Sequence, residues 1–175
     1  MEICFTDQLD EWHFDHIVSS GNEGPDPTVA ARVGIIDDEG LRIQLNVLSS
    51  AGLSCFQDAR CVDHLAYIGF GHSLFVFNTR TGTLAAHPLD GYFGHMYDGG
   101  DFEKLPAQLS MLVTSASEAL AFSRTGELVW RRQNLGIDGV LLRAVSEKEI
   151  KGEGEYDPPN GWRKFTIAWD SDTIA

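Results

Sequence analysis

The densest run of groups able to do chemistry is Gly152-Glu-Gly-Glu-Tyr-Asp-Pro-Pro-Asn-Gly-Trp-Arg163. Read as a strand over Glu149–Glu155, it projects Glu153 and Glu155 from one face, and Asp157 too if the strand runs that far. Same-face residues lie ~6.6 Å apart at ~3.3 Å rise per residue. Carboxylates that close repel unless a positive group sits between them. Arg163 across the turn, Arg143 from the preceding strand, a metal ion or a basic partner could each supply it. Gly152 and Gly154 leave the other face bare, open to close approach by a backbone or a ligand. Three roles stand open: a structural salt-bridge network, a partner-binding surface, or a catalytic or metal site. Paired carboxylates also hydrolyse glycosides, given the right separation and a sugar cleft.

Other constellations are thinner. His13-Phe-Asp-His16 spaces two imidazoles for zinc on a helix, but on a strand they face opposite sides. Asp63-His64 followed by Ser73 suggests a triad, yet no G-x-S-x-G elbow accompanies it. Gly69-Phe-Gly-His-Ser73 has no lysine or helix start after it, so it is not a phosphate loop. Asp37-Asp-Glu-Gly40 and Asp98-Gly-Gly-Asp101 are acidic turns without the ligand rhythm of an EF-hand. Tyr92-Phe-Gly-His-Met-Tyr97 is an aromatic run beside a glycine loop, suited to core packing or to a binding platform.

These groups must be positioned by strands. Leu41, Ile43, Leu45 and Val47 alternate with Arg42, Gln44 and Asn46, the pattern of a half-buried strand. A phrase of apolar strand, polar turn and second strand start recurs about every 41 to 47 residues. It begins at Val33, Leu74, Ala119 and Phe165. Further strands are expected over 61–70, 92–97, 109–114, 128–132, 137–145, 149–155 and 162–169. A helix-like piece is expected over Asp101–Ser110, kept short by Pro106. Residues 1–28 read as an opening strand and an exposed loop, 29–175 as the repeat region, and the whole as one all-β domain of antiparallel hairpins.

The net charge is −13 over 175 residues. With no basic stripe to release counterions, nucleic acid is not the expected partner. An acidic surface is suited to steered encounter with a basic protein. No apolar run approaches the ~20 residues that span a bilayer, and the N-terminus has no signal-peptide pattern. Three cysteines without a CxxC pair point to a reducing compartment, and the expected location is the cytoplasm.

The segment Ala119-Leu-Ala-Phe-Ser-Arg-Thr-Gly-Glu-Leu-Val-Trp-Arg-Arg132 resembles one blade of the quinoprotein-type (PQQ-like) β-propellers. It shows an apolar strand, a polar turn ending in Thr-Gly, and a strand ending in Trp. Leu74–Leu84 is similar without the Trp, and the units at 33–41 and 165–174 fit more loosely. The resemblance implies propeller-like hairpin repeats, as a small or incomplete ring. The same hairpins could build a sandwich or barrel. No cofactor-binding pattern accompanies the motif, so no cofactor and no catalytic residue follow from it.

The expected function is that of a non-enzymatic, acidic protein-interaction module, of the inhibitor or immunity type, that binds a basic toxin or nuclease. The candidate partner-binding residues are Tyr92, Asp98, Glu153, Glu155, Asp157, Trp162 and Arg163. Open sheet edges could also support a homo-oligomer. Two alternatives stand beside this. One is a metal-dependent or carboxylate hydrolase that uses the acidic cluster. The other is a ligand-sensing domain with a pocket lined by Tyr92, Phe93, Trp130 and Trp162.

Overall fold

The computed structural model describes residues 1–5, 13–21, 28–49, 56–102, 104–157, 159 and 161–169. The chain divides into two compact units, Met1–Pro88 and Leu89–Ala175. Each is built of two β-sheets, and no helix occurs among the described residues.

The first unit holds β1 (Glu2–Phe5), β2 (His16–Gly21), β3 (Thr28–Ile36) and β4 (Arg42–Ser49) in the order β1-β3-β4-β2. Its second sheet is a meander of β5 (Gln57–Val62), β6 (Leu65–Phe70), β7 (Ser73–Asn78) and β8 (Thr83–Pro88). Val33, Ile35, Ile43, Leu45 and Val47 pack with Ala66, Ile68, Phe75 and Phe77 to form its core. The second unit holds a meander of β9 (Phe93–Tyr97), β10 (Leu109–Ser115), β11 (Ala119–Ser123) and β12 (Leu128–Arg132). A three-stranded sheet follows, of β13 (Val140–Val145), β14 (Glu149–Glu155) and β15 (Trp162–Ala168). Leu112, Ala121 and Trp130 pack there with Val140, Leu142, Ile150, Ile167 and Trp169. Trp130 meets Trp169 edge to face at 5.6 Å, the packing role between sheets that its bulk suggests.

The recurring phrase has a local cause. Its first three copies are the β3–β4, β7–β8 and β11–β12 hairpins. In each, a short polar side chain at the start of the turn accepts hydrogen bonds from amides further on. Asp37 Oδ1 accepts from Glu39 and Leu41, Asn78 Oδ1 from Arg80 and Thr81, and Ser123 Oγ from Thr125 and Glu127. Each turn then needs positive φ, and Gly40, Gly82 and Gly126 supply it at 82°, 68° and 85°. The fourth copy runs into residues 170–174, outside the described residues, as do the positions of Leu9, Trp12, Cys55 and most of the loop at 19–28.

Three readings change. The helix-like piece over 101–110 is not found: its described residues before Leu109, where β10 begins, are turns and irregular backbone. Asp98 and Asp101 hold the preceding loop through side chain–amide bonds, which compete with helix nucleation. The stretch 61–70 is not one strand. Val62 pairs with Leu65 across a two-residue turn at Asp63-His64, with Asp63 at φ 54°. Aspartate tolerates that conformation without the glycine that would have marked it. The described residues among 1–21 form two strands, and the second, β2, lies parallel to β4.

Candidate functional site

The acidic run lies on β14, with the predicted bounds. Its odd-numbered residues face outward and its even-numbered ones inward, as the burial alternation shows. Glu153 and Glu155 therefore share a face, joined by Glu149 and Lys151. Two acids of this row are paired within the chain. Arg143 NH2 donates to Glu153 Oε2 at 3.3 Å, and Lys151 Nζ meets Glu149 Oε1 at 2.7 Å. Lys164 stands directly opposite Glu153 on β15.

Arg163 is not part of this row. It pairs with Gly154 and so belongs to the other face, where its guanidinium carbon lies 5.0 Å from the Tyr156 ring centroid. The Tyr156 hydroxyl donates to the Asn134 carbonyl at 2.7 Å. Asp157 also leaves the row, because β14 ends at Glu155. It closes a turn, accepting from Gly161 N at 2.9 Å. The bare inner face receives a backbone, as its glycines suggest. A Cβ on Gly154 would strike the Leu135 carbonyl, and one on Gly152 would meet the Phe165 ring and the Leu141 carbonyl.

That close approach brings residues 135–139 to the end of β14. Ile137 N donates to Glu155 O at 2.8 Å, and Glu155 N to Gly139 O at 2.9 Å. Trp162 stands opposite Glu155 on the other side. Its indole reaches across to Gly139, where an added Cβ would lie 3.2 Å from Cη2. Ile137 is 59% exposed and Trp162 37%. The Tyr92 hydroxyl donates to both the carbonyl and the carboxylate of Asp138, the latter at 2.9 Å. Loss of water, then the Asp138 hydrogen bond, then the charges of Asp138 and Glu155 push the Tyr92 phenol up to about 12. One surface thus gathers Tyr92, Ile137, Asp138, Glu155 and Trp162.

Asp98 stands apart from that surface. It follows β9 while Tyr92 precedes it, a separation of ~20 Å at strand rise. Ile137 and Asp138 were missed because 137–145 reads as one strand, whereas β13 begins at Val140. The Asp-Gly pair at 138–139 is the turn signal that could have separated them.

A second unread residue is Glu118, fully buried in the turn between β10 and β11. Its Oε1 accepts from Asp90 N at 2.8 Å, and its Oε2 faces Arg131 Nε at 3.6 Å. Ser115 and Ser117 both donate to the Asp90 carbonyl, at 2.7 and 3.1 Å. The same turn carries the patch backbone: Ala116 N donates to Tyr92 O, and Leu135 N to Ser117 O. These backbone bonds tie Tyr92 and the start of the 135–139 loop to the turn that buries Glu118. Nothing in the sequence separates Glu118 from an ordinary solvated turn glutamate.

The remaining constellations do not converge. His13 and His16 are exposed, and no group of three or more His, Cys, Asp or Glu among the described residues could hold a metal. Asp63 and His64 form the β5–β6 turn, while Ser73 lies at the other end of the β6–β7 hairpin. A six-residue strand puts ~20 Å between them. Phe93 and Trp130 are 1% and 6% exposed, so they are core residues and not the walls of an open pocket. No protein-family model, no curated protein and no solved structure matches this chain.

Proposed function

We propose that the chain is an acidic protein-interaction module that docks a basic protein through the surface formed by Tyr92, Ile137, Asp138, Glu155 and Trp162. The carrying observation is that Ile137 and Trp162, both large and exposed, flank Glu155 in a backbone-locked register. Aromatic anchors within a polar rim are what protein interfaces concentrate. The net charge of −13 favours a basic partner. An inhibitor- or immunity-type role against a cationic toxin or nuclease, in the cytoplasm, is the biological form this takes.

The alternatives draw less support. Of the acids in the hydrolase reading, Glu153 is matched by Arg143 and Asp157 closes a turn beyond the end of β14, the arrangement of a structural network. Of the residues in the sensing reading, Phe93 and Trp130 are packed into the core at 1% and 6% exposure.

The test is affinity capture from the source organism's lysate with the wild-type chain and with an Asp138→Lys/Glu155→Lys variant. A basic protein retained by the first, released by salt and absent from the second is expected. Equal retention by both would remove this surface from the interface.

A further inference from the structure

We infer that the free edge of β15 pairs antiparallel with β15 of a second copy of this chain, the two strands centred on Phe165, so that two sheets join edge to edge. The inference goes beyond the docking reading above and stands on other groups, the main-chain amides and carbonyls at the rim of the sheet.

The bonds of β14 fix which way the main chain of β15 points. Glu155 bonds through both N and O to residues 137–139, and Glu149 O accepts from Ser146 N. The odd-numbered residues of β14 thus turn their amides and carbonyls away from β15. Its even-numbered residues bond β15, where their partners are Arg163, Phe165 and Ile167. Trp162, Lys164, Thr166 and Ala168 therefore direct N–H and C=O out of the sheet, and all four are exposed. β15 is last in the order β13-β14-β15, and among the described residues no strand pairs with its outer side. The other edge strands of this unit, β9, β12 and β13, each lie in a ladder broken by a register shift. The seven pairs of β14 with β15 run unbroken, and β15 holds no proline. Its edge is a regular template for another strand.

The choice of a second copy follows from self-complementarity. Centred on Phe165, the pairing sets Trp162 against Ala168 of the second copy and Lys164 against its Thr166, and the two-fold axis repeats both pairs. All four outward residues then exchange main-chain bonds in alternate pairs, as an antiparallel ladder requires. Large meets small at both ends, and no like charges stand opposite. Centring on Arg163 or on Lys164 would set that cation against itself. The large side chains also clear the seam. The Trp162 indole leans back over Gly139 and the Phe165 ring over Gly152. On the inner face the half-buried Phe165 meets its own counterpart, where non-hydrogen-bonded pairs bring side chains closest.

The test is sedimentation of the full chain over roughly 10 µM to 1 mM. A dimer that grows with concentration is expected. Added salt should favour it, because salt screens the repulsion between two chains of net charge −13 and leaves main-chain bonds in place. Thr166→Pro deletes one outward N–H and no bond to β14, so it should keep the fold and abolish the dimer. Paired cysteines read the register independently, and decide the matter if the proline variant does not fold. The Cα atoms of a hydrogen-bonded pair lie ~5.5 Å apart, within disulfide reach. Lys164→Cys/Thr166→Cys should link into a dimer on mild oxidation, with the bond located by mass spectrometry. Neither single variant should link at these positions, since its cysteine would face a threonine or a lysine.

A monomer at every concentration, a dimer that a folded Thr166→Pro leaves intact, or a single-cysteine variant that links as readily as the pair would overturn the inference. A monomer whose Thr166 amide resists hydrogen exchange would overturn it too, and would mean that the chain covers this edge itself. If the chain is monomeric but captures a basic protein from lysate, the edge pairing fails and the docking reading stands. If the dimer holds and lysate yields no basic protein, the docking reading fails instead.

Discussion

Removing the Arg131 guanidinium should cost far more than breaking a surface ion pair, because its partner is fully buried. Glu118 has no solvent exposure, and its side chain is held by the Asp90 amide at 2.8 Å and by Arg131 at 3.6 Å. Arg131 is itself 32% exposed along its side chain, so water already hydrates part of it. The two ends of the pair are therefore unequal. Arg131→Met keeps most of the apolar stem and deletes the charge, leaving a carboxylate in the interior with a single amide donor. An uncompensated buried charge of this kind destabilises by about 3–5 kcal/mol. An exposed pair contributes only about 0–1 kcal/mol, so the two accounts separate cleanly. The assay is urea unfolding followed by tryptophan emission, since Trp130 and Trp169 report on the core of the same unit. The slope should stay constant, so that the midpoint shift measures stability. Adding Glu118→Gln to Arg131→Met removes the stranded charge and keeps an acceptor for Asp90. That double variant should recover about 2 kcal/mol. A loss below about 1 kcal/mol for Arg131→Met, or no recovery in the double variant, would refute the reasoning.

Alkaline pH should destabilise the first unit through Cys61, whose thiol burial pushes up to about 12 from an ordinary 9.0. The protonated form is the one the fold favours, so this contribution is complete below pH 9 and is lost as pH rises toward 12. Urea midpoints at a series of pH values will show it, and Cys61→Ala should flatten the dependence. Tyr92 behaves alike from 10.0 to about 12, so an ultraviolet phenolate titration should lose a late component in Tyr92→Phe. Gly154→Ala should cost about 2–4 kcal/mol, since the Leu135 carbonyl occupies the space of the new methyl and a backbone must move. Thermal melts and the Ile137 amide exchange rate will check it. Ser123→Ala should cost only about 0.5–1 kcal/mol, because the Thr125 and Glu127 amides that it frees lie in an exposed turn and regain water.

The hairpins were legible in the sequence because their information is local. Alternation from Leu41 to Val47, the short polar residue at 37, 78 and 123, and the glycine that closes each turn act over a few residues. The bounds of β14 and the shared face of Glu153 and Glu155 came from the same two-residue period. Local reading failed where a turn used an uncommon residue, as at Asp63, or where side chain–amide bonds displaced a helix, as at Asp98 and Asp101.

Tertiary structure alone decided the site. It chose Arg143 over Arg163 as the partner of Glu153, because β15 pairing put Arg163 on the opposite face. It separated Asp98 from Tyr92 by the length of β9 and joined Tyr92 to Asp138, distant in sequence, through one phenol. It sank Glu118 among Asp90, Ser115 and Arg131, although its sequence surroundings are those of an exposed turn. Burial and charge pairing depend on which segments meet across sheets, and a period of two residues carries no information about that.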